Sequence, residues 1–443
     1  MTRSEQSLSS RPVITIAVFC LLAMCLPECR GGTPAKNEKQ QSATCRFVVA
    51  ARMPGATAAH SGVVLADGKV LVTGGYSKLF GRLPFASTLG RIYDPRPSKM
   101  ELPDAEKEYP WRLTEGGMNY GRLLHNSILL PGGKVLIAGG IGQHGRPLRS
   151  MELYDPKTEQ FTVLPEMSVA RKNPGLNLLA DGKVLITGSS LRGDIFEVSK
   201  EAPSGYRVRQ TKGQAMVKHT DHACLTLKDG TVLLITGRND CLERFDPCTE
   251  SFMLCRVKMP QVYDDQAAAV LYNGKVLIAG GQEVFSNRCT NLTWIYDPQT
   301  DTLVDGPVLV PTSKGIRQDG VSDLGVVDLF LPVRGESSSK ENKSGHFILF
   351  CGGEYDPGKG PQKDTILDSA WIYDAKRNQF LDVGPMLTGH DDFAAVALLA
   401  ERDHSGQMNC HGRVLIMGGY GADDLFQANC EIFCWNPECL SSK

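Results

Sequence analysis

Residues 60–75 read HSGVVLADGKVLVTGG, and residues 125–140 read HNSILLPGGKVLIAGG. Each is an apolar run, a two-residue turn signal, a second apolar run and a pair of small residues. The phrase returns as GLNLLADGKVLITGS from Gly175, ACLTLKDGTVLLITG from Ala223 and AAAVLYNGKVLIAGG from Ala267. Asp67-Gly68, Gly132-Gly133, Asp181-Gly182, Asp229-Gly230 and Asn273-Gly274 are pairs that accept positive φ, so the spacing predicts a β-hairpin with a type I′ turn in each copy. Two further copies carry a polar insertion in place of the turn. One runs from SDLGVVDLFL to HFILFCGG, ending at Gly353, and the other from FAAVALL to RVLIMGG, ending at Gly419. The hairpins therefore predict seven repeats.

A second phrase follows the hairpins: RIYDPR, ELYDPKTEQFTVLPEM, ERFDPCTESFML, WIYDPQTDTLVDGP, WIYDAKRNQFLDVGPM and IFCWNPECL. An aromatic on a strand leads into Asp-Pro, a polar turn and another strand. Proline fixes φ at the turn and cannot sit inside a central strand. Each repeat thus supplies four strands, here lettered a to d, and the third, DIFEVSKEAPSGYRV, keeps its strands without the Tyr-Asp-Pro. Four-stranded antiparallel units repeated without linkers predict an all-β fold, a seven-bladed β-propeller. The second strand of each hairpin is apolar almost throughout, as a strand covered on both faces must be. CRFVVAARMPGATAAH near the N-terminus reads as a fourth strand d, completing the last blade and removing an exposed edge.

The chain has 443 residues, a formal net charge of −1, 42% hydrophobic and 22% charged residues. Such a chain buries a full core. Its balanced charge gives no electrostatic reason to expect nucleic acid or an acidic membrane surface as partner. Arg3 and Arg11 precede the apolar run Val13 to Leu26, which is too short to span a bilayer comfortably and suits the h-region of a secretory signal. Residues 1–29 are accordingly expected to be a signal, 30–43 a tether and 44–443 the propeller. LLAMC resembles a lipobox with Cys25 as a candidate acylation site, although Met24 departs from the small residue usual there. The localisation expected is outside the cytoplasmic membrane: secreted, periplasmic or lipid-anchored through Cys25. Fourteen cysteines suit an oxidising compartment. Laying Pro437 on Pro156 and Phe47 on Phe161 puts Cys45 and Cys439 at adjacent turn positions and predicts a disulfide. Cys241 and Cys255 flank the c–d turn of repeat four and predict a second. Cys224 and Cys351 are expected as buried thiols; Cys248, Cys289, Cys410, Cys430 and Cys434 are left unassigned.

In a propeller the residues before each strand a converge on the mouth of the central channel. Counting back seven from the first turn residue gives His60, His125, Pro174, His222 and Gln266; three residues earlier lie Thr57, Arg122, Arg171, His219 and Tyr263. Asp265 adjoins them, and RQDG (Arg317, Asp319) and GHDDF (His390, Asp391, Asp392) fall there in the irregular repeats. His, Arg and Asp converging on a rigid scaffold are expected to bind a glycan, a small molecule or a protein. No cofactor, metal or catalytic residue is expected.

A strand ending in Gly-Gly, a spaced Tyr and an aromatic on the next strand is similar to the kelch repeat, over about residues 44–443. The resemblance implies a kelch-type propeller of the group that includes the central domain of galactose oxidase. The usual tryptophan on strand d is Phe161, Phe252 or Phe380 here, or Leu303. No adaptor domain of the ubiquitin-ligase kelch proteins is apparent. The resemblance implies a ligand- or protein-binding module. Its alternatives are a sugar epimerase or mutarotase, and a copper-radical oxidase, whose chemistry needs two tyrosinates and two histidines on one copper. No Tyr-His dipeptide of the oxidase pattern occurs, and only Tyr263 falls beside the histidines.

Overall fold

The computed structural model describes residues 45–80, 83–95, 110–310, 320–329, 346–358, 364–399, 412–421 and 425–435. The described strands form seven antiparallel blade sheets, one per repeat, and two separate two-stranded hairpins, Tyr76–Phe80 with Leu83–Ala86 and Glu354–Tyr355 with Thr365–Ile366. Strands a are Ser61–Val64, Asn126–Leu129, Gly175–Leu178, Ala223–Thr226, Ala267–Val270, Gly325–Asp328 and Ala394–Leu398. Each contacts the strand a before and after it, and the seventh contacts the first, so they close a ring around a central channel. In the seventh blade Arg46–Ala50 pairs with Cys430–Trp435, so the N-terminal strand closes the ring as strand d.

Strands b are buried throughout, as in Val135–Ala138 and Val184–Thr187, because neighbouring blades cover both faces. The aromatic phrases pack across the c–d turns: Tyr154 on Phe161, Phe245 on Phe252 and Tyr373 on Phe380, with ring centroids 4.9, 4.9 and 5.2 Å apart. The Asp of Asp-Pro closes the turn by accepting the backbone N–H two residues on, as Asp155 does from Lys157 and Asp297 from Gln299. In the first blade strand d is Trp111–Leu113, and Trp111 packs at a tilt against Tyr93, so the usual tryptophan is present there.

The hairpin turns differ from the expected type I′. In the first, Leu65 N–H donates to Lys69 O and Gly68 N–H to Leu65 O. Of the three loop residues only Gly68 has positive φ, at 88°. This is a three-residue loop, a turn followed by a left-handed glycine bulge. The Asp67 carboxylate accepts the Lys69 N–H, and Asp181, Asp229 and Asn273 do the same in their copies. The Asx-Gly pair is thus selected by a side-chain turn and one left-handed residue, rather than by two left-handed residues.

Cysteine placement departs from expectation. Phe47 lies opposite Phe433, where the alignment of Pro437 with Pro156 had implied a position opposite Trp435. The shift moves Cys45 two positions away from the turn; Cys439 lies outside the described residues. Bulges in strands c and d of blade four put Cys241 opposite Lys258. The Cys241 thiol donates to Asp240, while that of Cys255 lies 3.3 Å from the Tyr296 hydroxyl, and the two are not bridged. Cys351 is fully buried as expected, whereas Cys224 is half-buried on the channel side, its thiol pushed up to about 12 by desolvation. Cys25 lies outside the described residues.

Candidate functional site at the channel mouth

One residue ahead of the counted position, at Ala59, Leu124, Asn173, Asp221, Asp265, Asp323 and Asp392, every blade has a non-glycine residue in the left-handed region, with φ between 45° and 56°. Asn and Asp tolerate that conformation best, and they hold five of these positions. Backbone hydrogen bonds run from blade to blade through these residues. Ala59 N–H donates to Asp392 O (2.7 Å), Leu124 to Ala59 O, Asn173 to Leu124 O and Asp323 to Asp265 O (3.2 Å). The residues thus form a backbone collar at the start of strands a.

The Gly-Gly pairs fit around this collar. Gly75 (φ 84°) donates its N–H to Arg122 O of the next blade, and a Cβ there would lie 2.3 Å from Thr57 Oγ1. A Cβ on Gly74 would lie 2.7 Å from His125 Cε1, and one on Gly418 2.9 Å from His60 Cε1. His60 and His125 therefore wedge between blades, 7% and 4% exposed, and do not face an open mouth. Burial, with Arg91 and His390 nearby, lowers His60 to about 3. Burial, then Arg122, holds His125 well below its ordinary value, and burial, then His219 and Arg171, lowers His222 to about 3. The Nε2 atoms of His125 and His222 each lie 2.9 Å from a threonine hydroxyl, of Thr73 and Thr187.

At the position three residues earlier the side chains are likewise internal, each arginine and histidine bonded within its own blade. Arg122 donates to Gly139 O and to Glu152 (2.8 Å), and Arg171 to Gly188 O and Asp194 (2.7 Å). His219 bonds Thr236 O and Glu243, and His390 bonds Gly418 O and Glu431. Arg122 and Arg171 have no exposed surface. Each strand-c carboxylate also takes a backbone N–H of its d–a loop: Glu152 from Asn119, Glu243 from Met216 and Glu431 from Leu387. These groups staple the loop to its own blade. Tyr263 is buried against Trp294. Gln266 accepts from Thr236 Oγ1 and donates to Gly280 O. Arg317 and Asp319 lie outside the described residues.

What remains at the mouth is acidic. Asp221, Asp391, Asp392 and Glu354 lie close enough to Asp264, Asp265 and Asp323 to raise the carboxyls of those three. Burial, then Asp264 and Asp221, pushes Asp265 well above the usual carboxylate range; burial, then Asp265 and Asp391, does the same to Asp323. Lys172 pairs with Asp221 at 3.2 Å and Arg238 with Asp264 at 3.1 Å. Sequence counting found Asp265, Asp391 and Asp392 and missed Asp221, Asp264, Asp323 and Glu354. The signal was an Asx immediately before strand a, in TDH, YDDQ, VSDL and HDDF.

Of the residues that a copper centre of the tyrosinate–histidine kind would draw on, three are already engaged within the fold. The nitrogens of His219 and His390 are engaged by carbonyls and carboxylates, and Tyr263 is packed on Trp294. Among the described residues no group of His, Cys, Asp and Glu is arranged to hold a metal ion.

Residues 125–168 and 266–302 match the kelch motif. Kelch-like protein 15 of Danio rerio is 28% identical over 146 residues, covering 29% of this chain and 22% of that protein, so the chain spans under a quarter of this relative's length. Among solved structures, a fungal alcohol oxidase of the AA5 family, in complex with copper, superposes with a TM-score of 0.58 at 13% identity, over 88% of this chain and 75% of that one. The structure of YjhT gives a TM-score of 0.46 at 14% identity, over 86% and 96%. The likeness to the oxidase is one of fold.

Proposed function

Because this chain is a kelch-repeat β-propeller, we propose that it is an exported binding module that takes a positively charged segment of a protein partner at its channel mouth. The observation that carries the reading is the acidic collar, where Asp265 and Asp323 are held against neighbouring carboxylates. A lysine or arginine entering there relieves repulsion that the fold otherwise sustains. The b–c loops supply a surround for such a segment. Phe85 and Phe285 stand on short hairpins of blades one and five, 47% and 71% exposed, and Leu425 in blade seven is 62% exposed. Exposed apolar tips around a charged centre suit a protein contact. Export is supported by the Val13–Leu26 run behind Arg3 and Arg11.

The test is fluorescence anisotropy with a lysine- and arginine-rich peptide and its glutamate-rich counterpart, at low and high salt. Binding of the basic peptide alone, weakened by salt and by Asp265→Asn with Asp323→Asn, is the expected result. Equal binding of both peptides, or no effect of the double variant, would refute it.

A further inference from the structure

Below the collar the channel is not uniform. Blades one, two and four begin strand a behind a histidine, whereas blade three has Pro174 followed by Gly175. Gly175 has no room for a side chain: a Cβ would lie 2.5 Å from Cys224 Sγ and 2.6 Å from Thr187 Oγ1. Blades four and five continue with Ala223 and Ala268. Beside this close approach a cavity of about 260 Å³ runs from the collar along strands a of blades two to five. At about 30 Å³ per water it has the room of roughly nine waters, near the lower end of small-ligand sites.

Its lining contains no Asp, Glu, Lys or Arg. His222 is neutral, because burial lowers it to about 3, and Cys224 is a thiol, because burial raises it to about 12. The lining mixes polar and aliphatic groups. Asn126 and Ser127 of blade two and Asn173 of blade three bring amides and a hydroxyl to the lining, which Leu176, Leu225 and Ala268 share. The Asn126 amide donates to Pro174 O at 3.0 Å, and the Ser127 hydroxyl meets that of Ser61, which fixes both side chains.

We propose that this channel cavity is a second binding site, for an uncharged polyhydroxylated molecule of monosaccharide size. Such a molecule has hydroxyls for the amides and hydroxyl of Asn126, Ser127 and Asn173 and C–H groups for the uncharged, partly aliphatic remainder of the lining. A cation has no counter-charge here, which separates this site from the acidic mouth above it.

The experiment is isothermal titration and saturation-transfer NMR on the full chain with glucose, galactose, N-acetylglucosamine, myo-inositol and, as the charged control, glucosamine. At least one neutral probe is expected to bind in preference to glucosamine. Ala223→Leu, which fills the cavity, and Asn126→Ala, which removes an amide, are each expected to weaken that binding tenfold or more. Basic-peptide binding at the mouth should stay unchanged in both. The idea is overturned if no neutral probe binds, if glucosamine binds best, or if both variants bind as the wild type does. Loss of neutral-probe binding in Asp265→Asn with Asp323→Asn, and not in Ala223→Leu or Asn126→Ala, would move the site to the mouth.

Discussion

Acid should loosen the ring closure through His60. Its ring is wedged against Gly418 of the last blade, and burial, then Arg91, lowers it from 6.5 to about 3 despite the Met417 backbone, which acts the other way. Below its ordinary value the unfolded chain takes up a proton that the folded chain refuses. Stability is therefore intact above 6.5 and falls as pH drops from there toward 3. For these two values linkage gives a loss of about 2 kcal/mol between pH 8 and pH 5 from this residue alone. His60→Leu removes the titrating group while keeping an apolar wedge. Urea unfolding of both proteins at pH 8 and pH 5 measures the difference. The variant should lose about 2 kcal/mol less than the wild type over that interval, whatever its absolute stability. The same pH dependence in both proteins would show that His60 is protonated in the fold, or that water reaches it, and would refute the buried-wedge account.

Arg122→Ala leaves Glu152 buried without its cation and should destabilise by about 3–5 kcal/mol. The double change Arg122→Met with Glu152→Gln should restore part of that, and a single-variant loss below about 1 kcal/mol in urea unfolding would contradict the staple. Burial raises the Glu431 carboxyl, but hydrogen bonds from His390 and the Leu387 N–H outweigh it, and the net shift is downward. Its contribution is present above the ordinary carboxylate value and is lost as pH falls below it. Glu431→Gln should therefore flatten the stability profile in that acid range, and an unchanged profile argues against the pair. Gly133 has φ 81° and open space for 4 Å around the point a Cβ would occupy, whereas Gly75 has φ 84° and a Cβ there would meet Thr57 at 2.3 Å. Gly133→Ala should cost about 1–2 kcal/mol, from left-handed strain alone. Gly75→Ala should cost clearly more by the same unfolding assay, and equal losses would mean the collar yields to a methyl group.

The repeat made the architecture legible. Alternating turn signals and apolar runs are local, and each hairpin is specified within about fifteen residues, so HSGVVLADGKVLVTGG already contains strands a and b and their turn. Ring closure was legible too, because Arg46–Ala50 is a strand d with no blade of its own. The site was legible only as a list of residues near one end of the channel. Arg122, Arg171, His219 and His390 have the same composition whether they face a ligand or a strand-c carboxylate. Their side chains turn inward because Glu152, Asp194, Glu243 and Glu431 stand about a strand away, a relation set by the c-strand register. Likewise the fold, through blade packing, assigned His60 and His125 to the glycines of the preceding blade and left the aspartates at the mouth. Sequence periodicity fixes which residues are equivalent in each blade. Only the close approach of blade to blade decides which of them are buried in or between blades and structural, and which line the channel mouth.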